Sequence, residues 1–263
     1  MQTIAPYSLL PSMYDQIVGD PWFPQIRASF EAALRFYRIR FSSAADIGCG
    51  TGTFARYLSD YGVPVFAVDR SKAMLAIAAQ KNRGRNVSLL RQDIRKFQLP
   101  QAVDLITCNH DTLNYMLTNA DLTKVFERCN EHLSLDGYLI FDIIVALQEE
   151  QPRRGSRQRL NIPYSCVAAD GSLLKIPAQS VWNSVWNPQT RLNTVQIRFR
   201  VRRRHGESTE MHELHVQRWH SLSAIRGLIA RSGLQLRGVH DAEDFGPVSP
   251  ATSWIKCVAQ KKR

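Results

Sequence analysis

The chain has 263 residues, of which 44% are hydrophobic and 22% charged, and its formal net charge is +11 at pH 7. A sequence of this length and composition can bury a core as one large domain or as a domain with an insertion. Its longest apolar stretch, residues 138–147, is far shorter than the ~20 residues that a membrane helix needs, and no basic and then apolar leader opens the chain. We therefore expect a soluble, cytoplasmic protein.

The cysteines argue against a disulfide framework and against a zinc site. They are odd in number, scattered, and never spaced as C-x-x-C. They are Cys49, Cys108, Cys129, Cys166 and Cys257. This pattern favours a reducing compartment, and no set of side chains is spaced as ligands for a divalent metal, so no metal site is expected.

Residues 1–42 are predicted to form a helical N-terminal lid, and the most informative segment follows directly. A short apolar run contains Asp46, a turn then carries Gly48, Gly50 and Gly52, and an amphipathic helix begins at residue 53. This order is typical of a strand, a tight loop and a helix N-terminus, where the backbone can approach a ligand closely. The strict alternation of the glycines differs from the dinucleotide pattern G-x-G-x-x-G, and the Gly-Lys-Ser/Thr ending of a phosphate loop is missing. We predict a nucleotide-like ligand of another kind at this turn.

Further apolar runs are predicted to be parallel strands with polar residues at their carboxyl ends. They cover residues 63–68, 87–91, 103–108 and 137–143, and helical segments lie between them. The first ends on Asp69, which can accept hydrogen bonds from both hydroxyls of a ribose, and Ser71 is expected to cap the next helix. A terminal helix (221–231) and two terminal strands (234–240 and 252–260) complete the prediction. It is a Rossmann-like, doubly wound α/β domain over residues 43–147 and 221–263, with seven strands of which one is antiparallel.

Residues 148–220 are predicted to be an inserted antiparallel β subdomain. A polar linker covers residues 148–155, and turn signals occur at 169–171, 187–190 and 204–207. From residue 195 to 202 apolar residues alternate with Gln196, Arg198, Arg200 and Arg202, so one face should pack and the other should face solvent. Residues 1–150 carry a net charge of −1 and residues 151–263 a net charge of +12. The basic excess therefore lies in the second part of the chain, where Glu213 is a candidate partner for these arginines across strands.

The alternating glycines and the strand-end acids resemble motif I and the following motifs of the class I S-adenosylmethionine-dependent methyltransferases. Three further segments are similar to a lidded small-molecule branch of that class, which includes sugar N,N-dimethyltransferases and glycine N-methyltransferase-like enzymes. They are Tyr7 with Tyr14-Asp15, the run Asp-Thr-Leu-Asn-Tyr at 111–115, and Glu-x-His-x-Gln-Arg-Trp at 213–219. In that branch an antiparallel platform inserted at this point covers the active site.

The resemblance implies that the cofactor is S-adenosylmethionine and that S-adenosylhomocysteine is the product. In the family the glycine backbone faces the methionine moiety and the ribose, Asp93 stands where an acid lies beside the adenine amino group, and Ile94 where a backbone amide meets a ring nitrogen. The implied cofactor-binding residues are Tyr7, Asp46, Gly48, Cys49, Gly50, Gly52, Asp69, Arg70, Met74, Gln92, Asp93, Ile94, Cys108 and Asn109.

The sulfonium already activates the methyl group, so catalysis mainly requires a nucleophile held near attack distance and the exclusion of water. An amine acceptor has only to be neutral, whereas a hydroxyl needs a base. His110 is the best candidate for that base, and a structural bond to backbone is the alternative. Tyr14 and His215 are the other candidate catalytic residues. Packing of the N-terminal helix is the alternative for Tyr14, and a bond to a strand neighbour is the alternative for His215.

Three functions from different classes are compatible with these residues. The first is N- or O-methylation of a small molecule, with an anionic or aromatic acceptor. The second is an RNA-modifying methyltransferase that holds phosphates on the basic insertion, although arginines that alternate along a strand are usually only a solvated face. The third is a cofactor-binding scaffold without activity. We expect no membrane partner and either a monomer or a homodimer.

Overall fold

The computed structural model describes residues 2–4, 6–8, 10–146, 156–160, 164–167, 173–176, 178–202 and 208–262. The chain divides into two compact units. The first comprises Met1–Pro21 and Glu150–Gln217, and the second comprises Trp22–Glu149 and Arg218–Arg263. We call them the insertion unit and the sheet unit.

The elements follow one another in an order that alternates strands and helices in the sheet unit. The helices are α1 (Pro11–Tyr14), α2 (Asp20–Phe36), α3 (Thr53–Ser59), α4 (Lys72–Lys81), α5 (Asn119–His132) and α6 (Leu222–Arg231). The strands are β1 (Gln2–Ile4), β2 (Ala44–Ile47), β3 (Val65–Asp69), β4 (Val87–Arg91), β5 (Val103–Cys108), β6 (Leu133–Ile144), β7 (Ser156–Leu160), β8 (Tyr164–Val167), β9 (Leu173–Ile176), β10 (Ala178–Asn187), β11 (Leu192–Arg202), β12 (Ser208–Arg218), β13 (Leu234–Asp241) and β14 (Trp254–Lys261). A π-helical turn (Asp15–Gly19) joins α1 to α2, and a 3-10 turn (Thr112–Tyr115) follows β5.

The sheet unit is built on a seven-stranded sheet in the order β13-β14-β6-β5-β2-β3-β4. Strands β2 to β6 pair in parallel, and β14 runs antiparallel to both β6 and β13. The predicted Rossmann-like sheet with one antiparallel strand is therefore confirmed. Because parallel strands leave the sheet at one edge, the residues that follow β2, β3, β4 and β5 all lie at its carboxyl edge.

Local sequence explains most of these boundaries. Strand β5 is apolar and buried along almost its whole length, as a central parallel strand must be. The hydroxyls of Ser71 and Ser221 accept from the backbone N–H groups of Met74 and Ala224, so each serine caps its helix as predicted. Two apolar clusters cover the faces of the sheet, one built around Phe126 and Phe141 and one around Phe30 and Phe54.

The insertion unit contains a five-stranded sheet in the order β1-β12-β11-β10-β7 and a separate antiparallel pair, β8 and β9. Strand β10 pairs antiparallel with both β7 and β11, as predicted for an inserted antiparallel platform. A strand from the N-terminus, β1, joins the sheet in parallel with β12, which the sequence did not indicate. The predicted turn at 187–190 connects β10 to β11, whereas those at 169–171 and 204–207 and the linker at 148–155 lie outside the described residues.

The predicted alternation along β11 is present wherever side chains are described. Ile197 and Phe199 are buried, whereas Arg198 and Arg200 are exposed. Arg200 pairs with Glu210, with 2.7 Å between Nη2 and Oε1. The expectation that Glu213 would pair with these arginines is wrong, because Glu213 is fully buried and bonds elsewhere.

Residues 1–42, which were expected to form one helical lid, are divided between the two units after Pro21. The physical reason is that the two parts bury different side chains. Leu10 and Met13 of the first part pack with Ile197 and Phe199 of the insertion unit. The second part belongs to α2, which buries Phe30 and its neighbours in the cluster around Phe54 of the sheet unit. In the described chain, the helices are all too short or too polar to span a bilayer.

Candidate active site

The glycine turn connects β2 to α3 at the carboxyl edge of the sheet. The N–H groups of Gly48 and Cys49 both donate to the carbonyl oxygen of Val68, at 2.7 and 3.0 Å, and so tie the turn to β3. The N–H of Gly52 donates to the carbonyl oxygen of Cys49 at 2.9 Å, and α3 begins at the next residue. The sequence therefore folds here into the strand, turn and helix start that its pattern predicts.

Glycine is needed at the three positions of this turn for different physical reasons. All adopt a positive φ, which is +70° at Gly48, +54° at Gly50 and +77° at Gly52. A Cβ atom at Gly48 would collide with Thr112, and one at Gly52 would lie 2.6 Å from Nδ2 of Asn82. A Cβ atom at Gly50 would meet, among the described residues, only the sulfur of Met74 at 3.9 Å. Gly48 and Gly52 are thus required by packing, whereas the backbone of Gly50 faces open space in which a ligand can contact it.

Asp69, the acid at the end of β3, holds the backbone around the turn. Its Oδ2 accepts from the N–H of Gly50 at 2.9 Å, and its Oδ1 accepts from the N–H of Ser71 at 2.7 Å. Burial raises the pKa of this carboxyl group, against the opposing effect of those two N–H bonds. Arg70 is the neighbour whose positive charge lowers the same pKa. Each oxygen retains a lone pair for a further donor such as a hydroxyl.

Asp46, the acid of β2, lies beside the turn and is 1% exposed. Its Oδ1 accepts from the hydroxyl of Thr107 at 2.8 Å. In the part of the chain that the structure describes, Oδ2 has no hydrogen-bond partner. Burial raises the pKa of Asp46 to about 7, with smaller contributions from the charges of Asp69 and Asp142. A buried carboxyl oxygen without a partner at this edge suits a cationic or hydrogen-donating ligand.

We expect the stability of the ligand-free protein to decrease as the pH rises, because Asp46 is easier to bury when it is neutral. The pKa of about 7 lies above the value of 3.8 in the unfolded chain, so the folded state keeps a proton that the unfolded chain has released. Relative to an Asp46→Asn variant, the free energy of unfolding should fall by about 1.4 kcal/mol per pH unit between about pH 5 and 7. Chemical denaturation at several pH values measures this. Parallel profiles for the two proteins would contradict it.

The residues that follow β4 are linked to one another by side-chain hydrogen bonds. The side-chain amide of Gln92 bonds to the backbone of Gln98 in both directions, at 2.7 and 3.0 Å. The carboxylate of Asp93 is bound by Arg95, with 2.6 Å between Oδ2 and Nη2, and this arginine lowers the pKa of Asp93. An adenine amino group at Asp93 would share the carboxylate with Arg95. Ile94 is buried in the core between these contacts.

The segment after β5 has an unusual backbone. Cys108 is fully buried, and Asn109 follows it with only 5% of its surface exposed. His110 and Asp111 then have φ values of +55° and +48°, which are uncommon for residues other than glycine. Their N–H groups donate to the carboxylate of Asp142, at 3.2 Å for His110 and 2.7 Å for Asp111.

Sequence reasoning missed the residues that hold this segment, Asp142 and Lys256. Both are fully buried, and Nζ of Lys256 lies 3.2 Å from Oδ2 of Asp142 and 3.1 Å from Oδ1 of Asn109. The available signal was a charge flanked by apolar residues in each of two strands, in Leu-Ile-Phe-Asp-Ile-Ile of β6 and in Trp-Ile-Lys-Cys-Val-Ala of β14. A charge in such a strand is rarely buried unless it is paired.

Three predicted site residues, Tyr7, Tyr14 and His215, lie together in the insertion unit. The ring of Tyr7 meets that of His215 edge to face at 4.9 Å and that of Tyr14 at 6.2 Å. His215 is buried, with Nε2 at 3.0 Å from Oε2 of Glu213. The other oxygen of Glu213 accepts from the N–H groups of Ser8 and Leu10, and Oε2 also accepts from that of Tyr7. Glu213 therefore anchors the segment that carries the tyrosines, a role that the sequence did not indicate.

The fold is similar to that of a solved S-adenosylmethionine-dependent methyltransferase. The crystal structure of such an enzyme from Clostridium acetobutylicum ATCC 824 superimposes over 95% of this chain and 97% of its own, with a TM-score of 0.75 and 23% sequence identity. Residues 44–137 match the family model described as a methyltransferase domain. Residues 44–137 are therefore similar to a methyltransferase domain, as the glycine turn and the strand-end acids predicted.

Relatives with known names are similar over part of their length. A dTDP-3-amino-3,6-dideoxy-alpha-D-glucopyranose N,N-dimethyltransferase of Streptomyces fradiae is 30% identical over 44% of this chain and 44% of its own. A protein of Geobacillus sp. (strain WCH70), whose name assigns it provisionally to the methyltransferases, is 31% identical over 52% of this chain and 57% of its own. The chain thus spans about half the length of the curated relatives it matches.

Proposed function

We propose that this protein is an S-adenosylmethionine-dependent methyltransferase that transfers the methyl group to a small molecule. The observation that carries the proposal is the turn at Gly50, where a Cβ atom would meet only Met74 among the described residues. Asp69 binds the N–H of Gly50, and the buried Asp46 precedes the turn on β2. A bulky side chain there would block the ligand, and the acids offer acceptors to its hydroxyls and its positive charge.

The residues of the sheet unit fit the parts of the cofactor. We assign the ribose hydroxyls to Asp69, because each of its oxygens keeps a free lone pair. We assign the methionine moiety to the turn backbone and to Asp46, whose free oxygen can accept from an ammonium group. The adenine is assigned to the edge formed by Asp93 and Ile94. When bound, the cofactor supplies an activated methyl group, and the chain has to orient the acceptor and exclude water. The remaining cofactor assignments, namely Tyr7, Cys49, Arg70, Met74, Gln92, Cys108 and Asn109, stay predictions.

We propose that the acceptor is an amine of a small molecule. Amino sugars are the first class of amine to examine. The support is the similarity to a dTDP-amino-sugar N,N-dimethyltransferase. An amine has to be neutral to attack, and no strong base is then required. His110 remains the candidate base for a hydroxyl acceptor, and Tyr14 and His215 remain candidates for orienting the acceptor. Because Glu213 binds His215, a positioning role suits that histidine better than proton transfer.

The alternative of an RNA-modifying enzyme receives no support. The basic face of the insertion unit is partly neutralised, since Glu210 binds Arg200. One matched relative, the dimethyltransferase of Streptomyces fradiae, is named for a dTDP-linked amino sugar. An inactive scaffold is disfavoured because the turn backbone and both acids are intact.

The test is a measurement of S-adenosylhomocysteine release with dTDP-amino sugars, phenols, carboxylates and total RNA as acceptors, preceded by calorimetry with S-adenosylmethionine. We expect binding of the cofactor and turnover with an amino sugar. Asp69→Ala should weaken cofactor binding at least about tenfold, since hydrogen bonds to a charged group contribute ~1.5–3 kcal/mol each. Asp60→Ala removes an exposed carboxylate of the same sheet unit and serves as the control. Turnover with RNA alone, or a wild-type protein without affinity for the cofactor, would refute the proposal.

A further inference from the structure

The buried pair formed by Asp142 and Lys256 is connected to three consecutive residues at the carboxyl edge of the sheet. Lys256 donates to the side-chain oxygen of Asn109 at 3.1 Å, and Asp142 accepts from the N–H groups of His110 and Asp111. The two charged residues face each other directly across β6 and β14. One ion pair therefore holds the whole segment that follows β5.

This segment needs such a support because its backbone is strained. Two consecutive residues with side chains, His110 and Asp111, have φ values of +55° and +48°. Residues other than glycine persist in this region only when their surroundings enforce it, and such conformations are concentrated at functional sites. The two N–H groups point to the same carboxylate, as they do in an anion-binding nest.

A contribution to stability does not by itself explain why a charged pair is buried here. Both side chains are fully buried between apolar strands, and replacing a buried ion pair by apolar residues is often neutral or stabilising. An apolar pair at this place could fill the same volume. It could not accept the N–H groups of His110 and Asp111 or orient the amide of Asn109, whose Nδ2 has no partner among the described residues.

We propose that Asp142 and Lys256 are positioning residues, which hold Asn109, His110 and Asp111 in the strained conformation that cofactor binding requires. The proposal rests on the proposed function of the sheet edge. The ion pair is a fixed support: Asp142 positions the backbone of the segment, and Lys256 orients the amide of Asn109 and holds the carboxylate of Asp142 in place. The free amide hydrogens of Asn109 are then available to a ligand at the edge.

The experiment compares the wild-type protein with the double variant Asp142→Leu/Lys256→Met, which replaces the pair by apolar side chains. We expect an unfolding temperature close to that of the wild type. Amide hydrogen exchange at His110 and Asp111 should become at least about tenfold faster, since each N–H loses a charged acceptor. Binding of S-adenosylhomocysteine, measured by calorimetry, should weaken by about tenfold, which corresponds to the loss of one such hydrogen bond.

Two further variants make the comparison specific. Asp142→Asn keeps one carbonyl oxygen for the segment, and we expect an intermediate effect on exchange and binding. Asp104→Asn is the control, since Asp104 lies at the opposite end of β5 and accepts from Ser42 and Ser134. It should leave exchange at residues 110 and 111 and ligand affinity unchanged.

A double variant with wild-type exchange and wild-type affinity would overturn the proposal and leave the pair a purely structural element. A double variant that fails to fold, with Asp142→Asn showing wild-type exchange and affinity, would overturn it as well. If the wild-type protein itself does not bind S-adenosylhomocysteine, the proposed function falls, while the exchange data still decide whether the pair holds the segment.

Discussion

Replacing Gly50 by alanine should weaken the binding of S-adenosylmethionine on the order of 100-fold, or about 3 kcal/mol. The residue has a φ of +54°, and the new Cβ atom would project into the open space beside Met74. If the cofactor contacts the backbone there, the methyl group occupies the volume of the ligand. The protein itself should lose only the ~1–2 kcal/mol that a left-handed conformation costs an alanine. Calorimetry gives the affinity and thermal unfolding gives the stability.

The chain contains a matched control for the backbone strain. Gly62 has a φ of +78°, and among the described residues no atom lies within 4 Å of the position of its Cβ. Gly62→Ala therefore imposes a similar left-handed conformation at the end of the loop after α3, without blocking the turn. We expect a similar small loss of stability and a wild-type affinity for the cofactor. Equal affinities in the Gly50 and Gly62 variants would show that the open face of the turn is not the cofactor site.

The second large effect is expected from Glu213→Ala, which should detach residues 7–14 from strand β12 within the insertion unit. The buried carboxylate accepts from the N–H groups of Tyr7, Ser8 and Leu10 and bonds to His215, each at 3.0 Å. Each hydrogen bond to such a charged group contributes ~1.5–3 kcal/mol, and the variant loses the shared acceptor of all of them. Amide hydrogen exchange of residues 7–14 should therefore become much faster in the variant.

Glu210→Ala is the control for that prediction. Glu210 lies on the same strand, β12, but its side chain is exposed and pairs with Arg200. An exposed ion pair contributes little to stability. Exchange at residues 7–14 should stay at the wild-type rate in this variant, and Glu213→Gln should give an intermediate rate, because one of the two oxygens becomes an N–H donor. Unchanged exchange in Glu213→Ala would mean that packing of Leu10 and Met13 alone holds the segment.

Local patterns in the sequence predict most of the sheet unit. The boundaries of β4 and β5 coincide with the predicted ones. For β5 the reason is that a strand buried on both faces has to be a nearly continuous apolar run between polar turns. The glycine turn is equally local, since only glycine tolerates the positive φ and the close neighbours at positions 48 and 52. Strand β6 begins at Leu133, four residues before the predicted start. Of residues 133–136 only Leu133 is buried, and the mixed run Leu-Ser-Leu-Asp lacks the apolar pattern of a buried strand.

For other residues of the candidate site, the sequence indicated the position but not the hydrogen-bond partners that define the role. His215 was expected to bond to a strand neighbour, and its partner is the glutamate two residues away on the same face. Asp93 was assigned to an adenine amino group by resemblance, and the structure adds Arg95 as a direct competitor for its carboxylate. The choice between such roles depends on which neighbours fill the remaining lone pairs, and a linear pattern does not show those neighbours.

The class of fold is encoded locally, and so are the alternating glycines and the acids at strand ends to which we assign the cofactor. The contacts that hold the site residues in place depend on tertiary structure. Lys256 reaches Asp142 across 114 residues of chain, and Glu213 reaches Tyr7 across 206. Periodicity shows which face of a strand is buried, but the residue that meets a buried charge depends on strand order and register, which form only when distant segments pack together.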